Sequence, residues 1–244
     1  MQVWPNSVNF KNSILISTSN YLVKMSLIIS LYLSNGIVMS ADSTCCKDQG
    51  YISTNANKIY VTTNSVGIST CGNRTSSGHN IEKYLEDFIE TQTTATVTEV
   101  ANNLLQYIIA KWPDIDATFL VAGYEASQDG SKEQKKYRIY TKERAINECD
   151  YKTGAQWNGA TALMSKLINQ AYYKENEDYI AYEHYQIDWA GMNIQDGIDF
   201  CRFMTNATST MMDFQNRITS VGGNIDILVI KPSGHLWISK KNYR

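Results

Sequence analysis

The stretch from Ser26 to Asp42 constrains the fold most. Leu27, Ile29, Leu31 and Leu33 alternate with Ile28, Ser30 and Tyr32, Ser34-Asn35-Gly36 interrupts, and an apolar run resumes from Ile37 to Asp42. Asn-Gly supplies the positive φ angles of a tight turn, so the two runs fold back on each other as an antiparallel hairpin. A second hairpin follows, from Lys58–Thr62 through a turn near Asn64 to Val66–Cys71. Two helical stripes come next: Ile81, Tyr84, Leu85, Phe88 and Ile89, then Val97, Val100, Ala101, Leu104, Leu105, Ile108, Ile109 and Trp112. The second opens on Thr96 and Glu99, a capping box, and stops before Pro113. Strands are expected over 117–122, 136–140 and 145–151, a third helix over 162–172 and a long fourth one over 194–217. A last hairpin, 225–230 and 236–238, turns at Pro232-Ser233-Gly234. The polar, tyrosine-rich segment 173–189 follows neither period, and the tyrosines of 172–185 read as a surface or subunit-contact segment.

Helices therefore come in pairs rather than one per strand, which excludes a doubly wound parallel sheet. The expected class is α+β: two mainly antiparallel sheets stacked between two helix layers, a four-layer αββα sandwich. A chain of 244 residues buries about 70% of its unfolded surface and needs no metal or disulfide to fold. Residues 1–25 are rich in Asn and Ser and lack a period, so they read as an extension ahead of a domain spanning 26–244.

Composition narrows the function classes. Lys plus Arg number 22 against 24 Asp plus Glu, a net charge of −2, which leaves no basic excess for a nucleic-acid surface. No apolar run approaches the roughly 20 residues of a membrane span, and Ser13–Asn20 is too short and polar for a signal-peptide core. Five cysteines without a repeating spacing (Cys45, Cys46, Cys71, Cys149, Cys201) read as reduced thiols of a cytoplasmic protein. His79, His184 and His235 stand apart, without metal-ligand spacing. No metal or cofactor is expected. Asp226, after Gly222-Gly223, is read as serving turn geometry.

The chemistry concentrates at strand ends. Ser26 begins the first strand, Asp42 ends the second, Lys58 begins the third and Gly72 ends the fourth. In two consecutive hairpins these ends share one edge. A lysine and a carboxylate there form a charge pair beside a hydroxyl, and a buried lysine is costly unless paired.

With these residues in place, the sequence resembles the proteasome β-type subunits, which are N-terminal nucleophile (Ntn) hydrolases, and is most similar to the small bacterial proteasome-like proteins. The resemblance rests on the Ser26–Ser43 stretch, with its strand, Asn-Gly turn and Ala41-Asp42-Ser43 ending. It rests also on gaps of 16, 16 and 14 residues (42−26, 58−42, 72−58) that match the family without insertion. Val66–Gly72, Thr118–Gly123, Val221–Asp226 and Gly234–Trp237 add to it, so it covers about Ser26 to Lys240.

The resemblance implies the same αββα sandwich and a hydrolase that cleaves an amide bond, with a peptide as the expected substrate. The Ser26 hydroxyl is the nucleophile and its own α-amine, titrating near ~7.7–8, the base. Lys58 activates the hydroxyl, Asp42 orients Lys58, and the Gly72 N–H faces the oxyanion. Serine stands where the family usually carries threonine. The free amine requires removal of residues 1–25, either as a self-cleaved propeptide or because Met25 is the initiator and is trimmed; Met25 in place of the usual glycine points to the second route. The family's later Ser, Asp and Ser are altered: Thr153 and Ser220 are the supporting candidates, while Ile218 and Val221 occupy the aligned positions. Assembly as a homo-oligomer through the helix layers is implied, with Ile81–Thr93 and Val97–Trp112 as the partner helices and an unfoldase partner left open. Two other readings stay open: a catalytically silent assembly subunit and a small-molecule amidase of the same fold.

Overall fold

The computed structural model describes residues 26–46, 52–76, 78–169, 171–215 and 219–241. The extension 1–25 and residues 216–217 of the expected fourth helix lie outside them, and that helix ends at Asp213. The chain opens with strands β1 (Leu27–Leu33), β2 (Gly36–Ala41), β3 (Cys45–Cys46), β4 (Ile52–Ser53), β5 (Ile59–Val61), β6 (Gly67–Gly72), β7 (Thr75–Ser76) and β8 (His79–Asn80). Helices α1 (Ile81–Thr91) and α2 (Val97–Lys111) follow, then β9 (Ala117–Ala126), β10 (Lys132–Tyr140), β11 (Ala145–Glu148), β12 (Gly154–Gly159) and α3 (Ala162–Ile168). The remainder is β13 (Tyr172–Glu175), β14 (Asp178–Ala181), α4 (Ile194–Asp213), β15 (Asp226–Lys231) and β16 (Gly234–Ser239).

Two five-stranded sheets form, one in the order β12-β1-β2-β15-β16 and the other β11-β10-β9-β6-β5. Every strand pair in them is antiparallel. The mixed α+β class expected from the element order is what the chain adopts.

Three apolar clusters give the layering. Helices α1 and α2 bury Ile81, Leu85, Phe88, Val100, Leu104 and Ile108 against the outer face of the second sheet. Helices α3 and α4 bury Met164, Ile198, Cys201 and Met204 against Leu27, Ile29, Leu31 and Val229 of the first. Ile28, Tyr32, Ile37, Met39 and Leu228 meet Ile59, Cys71, Leu120 and Ala122 between the sheets. β1 therefore shows both faces to apolar layers, and all seven of its residues, Ser30 included, are buried. The expected capping box of α2 is present, and α4 opens on another, Asn193 with Asp196.

Local patterns misplaced four parts of the chain. β12 was not expected, because Gly154–Gly159 has no alternation; it is a strand because the open edge of β1 supplies its ladder. The segment 172–181 is a hairpin, and α3 ends at Ile168 rather than reaching Tyr172. β10 starts earlier than expected, since the turn before it is closed by Asp129, whose carboxylate accepts the Ser131 N–H at 2.9 Å.

Candidate active site

The first hairpin brings the start of β1 beside the end of β2, pairing Ile28 with Ala41. Asp42 therefore arrives next to Ser26, and its carboxylate is wholly buried. Oδ1 accepts the Leu27 N–H at 2.8 Å and the Lys58 ammonium at 2.7 Å. Oδ2 accepts the Thr44 N–H at 3.0 Å and the Gly222 N–H at 3.1 Å. One carboxylate thus ties the residue after Ser26 to the lysine and to a loop 180 positions away.

Lys58 is also fully buried and donates to the Thr44 carbonyl at 2.5 Å. Burial lowers its pKa most, and the Asp42 carboxylate opposes that shift. Its segment is held from the other side by Arg74, which donates to the Asn57 carbonyl at 2.7 Å and pairs with Glu82 at the start of α1. Two cations and two anions thus balance around the strand that carries Lys58.

Ser26 is buried and adopts φ +98°, a conformation uncommon outside glycine. Three bonds hold it there: its N–H donates to the Ser220 carbonyl at 3.2 Å, its carbonyl accepts the Ala160 N–H at 2.7 Å, and Leu27 is tied to Asp42. Gly159 makes this approach feasible, since a Cβ there would lie 2.0 Å from the Ser26 carbonyl oxygen. Gly72 ends β6 at φ +111°, where a Cβ would lie 2.4 Å from the Asp116 carbonyl oxygen, so backbone geometry alone requires glycine there. Asn158 bridges the two strand ends: its Oδ1 accepts the Gly159 N–H at 2.7 Å and the Cys71 thiol at 3.4 Å.

Ser26, Asp42 and Lys58 are therefore assembled, with Gly72 at the same end of the sandwich. The two supporting candidates fare differently. β12 runs antiparallel along β1, pairing Gly159 with Leu27 but Gly154 with Tyr32. Thr153 consequently lies at the far end of β1, roughly 20 Å from Ser26 at 3.3 Å per residue. The later segment reaches Ser26 through Asn158, Gly159 and Ala160 instead. Ser220 is in place, but by its carbonyl; its hydroxyl points to Met212 Sδ at 3.7 Å.

Sequence reasoning missed more. Asp226 is no turn residue: it is buried and pairs with Lys241 at 2.6 Å. Its signal was the one that marked Asp42, a carboxylate abutting an all-apolar strand. Gly222 and Asn158 carried no signal, since a backbone N–H has no residue type and a lone Asn marks any loop. His79 stacks on Trp112 with ring centroids 5.2 Å apart, and His235 bonds Ser65 at 2.8 Å. Among the described residues no group of three or more His, Cys, Asp or Glu is placed to share a metal ion.

Comparison of the sequence with protein-family models finds no match, and comparison with curated proteins finds none either. No helix among the described residues is long and apolar enough to cross a membrane.

Proposed function

We propose that this chain is an amide-bond hydrolase of the N-terminal nucleophile type, similar to proteasome β-type subunits, acting on peptides in the cytoplasm. The observation that carries the reading is the buried Asp42 carboxylate joining Lys58 to the residue after Ser26. A fully buried lysine at a strand end is an expensive way to build a rim, and here its carboxylate partner holds the residue that follows a strained serine. Cys149 and Cys201 are free thiols, in keeping with a reducing compartment.

In the intact chain the Ser26 nitrogen is an amide and carries no base. Once the Met25–Ser26 bond is cut, that nitrogen becomes an α-amine. The Ser26 Oγ then attacks the substrate carbonyl carbon and passes its proton to the α-amine. The oxyanion forms toward Gly72, the amine product leaves with that proton, and water hydrolyses the acyl ester by the reverse proton path. Lys58 keeps a cation beside the reacting oxygen, and Asp42 holds Lys58.

Intact mass and turnover test this together. A chain beginning at Ser26 is expected to cleave fluorogenic peptide amides, and Ser26→Ala to lower the rate about a thousandfold or more. A chain beginning at Ser26 that hydrolyses neither peptide nor small amides refutes the reading. The amide state of Ser26 in the intact chain favours one second reading, a silent assembly subunit, which a protein retaining Met1 in its native host would support. Self-association would use the outer face of α4, where Phe203 and Met211 are exposed, together with the exposed Phe214 just past its end.

A further inference from the structure

Near the C-terminal end of the described chain lies a second buried ion pair that the mechanism above does not use. Asp226 opens β15 opposite Ala41, so it neighbours the end of β2 that carries Asp42. The Lys241 ammonium donates to Asp226 Oδ2 at 2.6 Å, to the Ala56 carbonyl at 2.5 Å and to Ser43 Oγ at 3.2 Å. Its backbone N–H donates to Asp226 Oδ1 at 2.9 Å. An ammonium has three donors, and all three are taken. This lysine therefore anchors three segments at one point.

Its partners are the segments that build the cage around Asp42. Ser43 follows Asp42, and its N–H donates to the Gly222 carbonyl at 2.9 Å while its hydroxyl donates to the Asn224 carbonyl at 2.6 Å. The 222–224 turn is the one that presents the Gly222 N–H to Asp42. Ala56 stands two residues before Lys58, and its N–H donates to the Ser43 carbonyl at 2.9 Å. Lys241 thus meets the Asp42 side and the Lys58 side of the first pair at one point.

We infer that Lys241, paired with Asp226, is a positioning residue that holds the Asp42–Lys58 pair in register from behind. The catalytic consequence rests on the hydrolase reading; the positioning itself does not. Lys241→Met combined with Asp226→Asn removes both charges together, so no unpaired ion is left buried and the fold survives. The readout is competitive acetylation of the full-length chain by acetic anhydride across a pH series, followed lysine by lysine by mass spectrometry. In the folded double variant Lys58 is expected to label about tenfold faster than in the wild type, because its segment opens locally. Lys136 is the internal control: it is also buried, though less deeply than Lys58, and packs on Tyr32 and Tyr151, at 5.3 Å from each ring, so its rate stays unchanged. A Lys58 rate within about twofold of wild type, or an equal rise at Lys136, overturns the inference.

Lys241→Arg is the second variant. It keeps the charge beside Asp226, but a planar fork cannot aim donors at Ser43 and Ala56 as a tetrahedral ammonium does. An intermediate Lys58 rate is expected, and full wild-type protection overturns the inference. Hydrolysis separates the two ideas. If the wild type cleaves amides, the double variant shifts the pH profile of kcat/KM, and an unshifted profile counts against Lys241. If the wild type cleaves nothing while Lys58 still labels faster in the variant, the hydrolase reading fails and the positioning role stands.

Discussion

Asp42→Ala is expected to cost more stability than Lys58→Met, although both break the same ion pair. The asymmetry follows from what each partner leaves behind. Asp42 accepts from four donors, three of them backbone N–H groups of Leu27, Thr44 and Gly222. Removing it strands those three groups and leaves the buried Lys58 ammonium with the Thr44 carbonyl alone. Breaking a buried pair in this way costs about 3–5 kcal/mol. Lys58→Met leaves a carboxylate that still holds three N–H donors, so its charge remains solvated by the backbone. The loss is then closer to one or two charge-assisted hydrogen bonds, about 1.5–3 kcal/mol. The expected gap is about 2 kcal/mol, or roughly 4–8 °C in Tm for a domain of this size. Urea unfolding at neutral pH measures it, with m-values compared to show that both variants unfold from the same native state. If Lys58→Met is as destabilising as Asp42→Ala, the backbone cage does not hold the carboxylate and the reasoning fails.

Two further outcomes follow from the same coordinates. Because burial holds the Lys58 pKa below 10.5, the native state binds fewer protons there than the unfolded chain, so the cost of Lys58 is full below its lowered pKa and is relieved as pH rises toward 10.5. The stability of wild type minus that of Lys58→Met should thus climb through this alkaline window in a urea series, and a flat or falling difference refutes the assignment. Phe203 on α4 and Phe214 just past its end are 60% and 81% exposed, so Phe203→Lys with Phe214→Lys is expected to turn an oligomer into a monomer by light scattering at little change in Tm; a wild type that is already monomeric excludes that face as an interface.

Part of the fold and of the candidate site was legible because its causes are local. The turn falls at Ser34-Asn35, with Leu33 paired to Gly36 and neither Asn35 nor Gly36 at the positive φ expected of an Asn-Gly turn, yet it still sets the pairing of β1 with β2 and the meeting of Ser26 and Asp42. The Thr96–Glu99 box and the helical stripes likewise announce α2 within a few residues. Lys58 stood out as a charge opening an apolar strand, only 16 positions from its partner.

What tertiary structure alone decided lies at long range. β12 became a strand because β1 offered an edge, and its antiparallel register put Asn158 and Ala160 at Ser26 and Thr153 at the opposite end. The Gly222 N–H reaches Asp42 across 180 residues, and the Lys241 ammonium reaches Ser43 across 198. A turn or a helix cap is written in neighbouring side chains, whose preferences act before the chain is compact. A backbone donor, a strand edge or a buried ammonium gains its partner only when two sheets close over it, and no short window of sequence contains both halves of that contact.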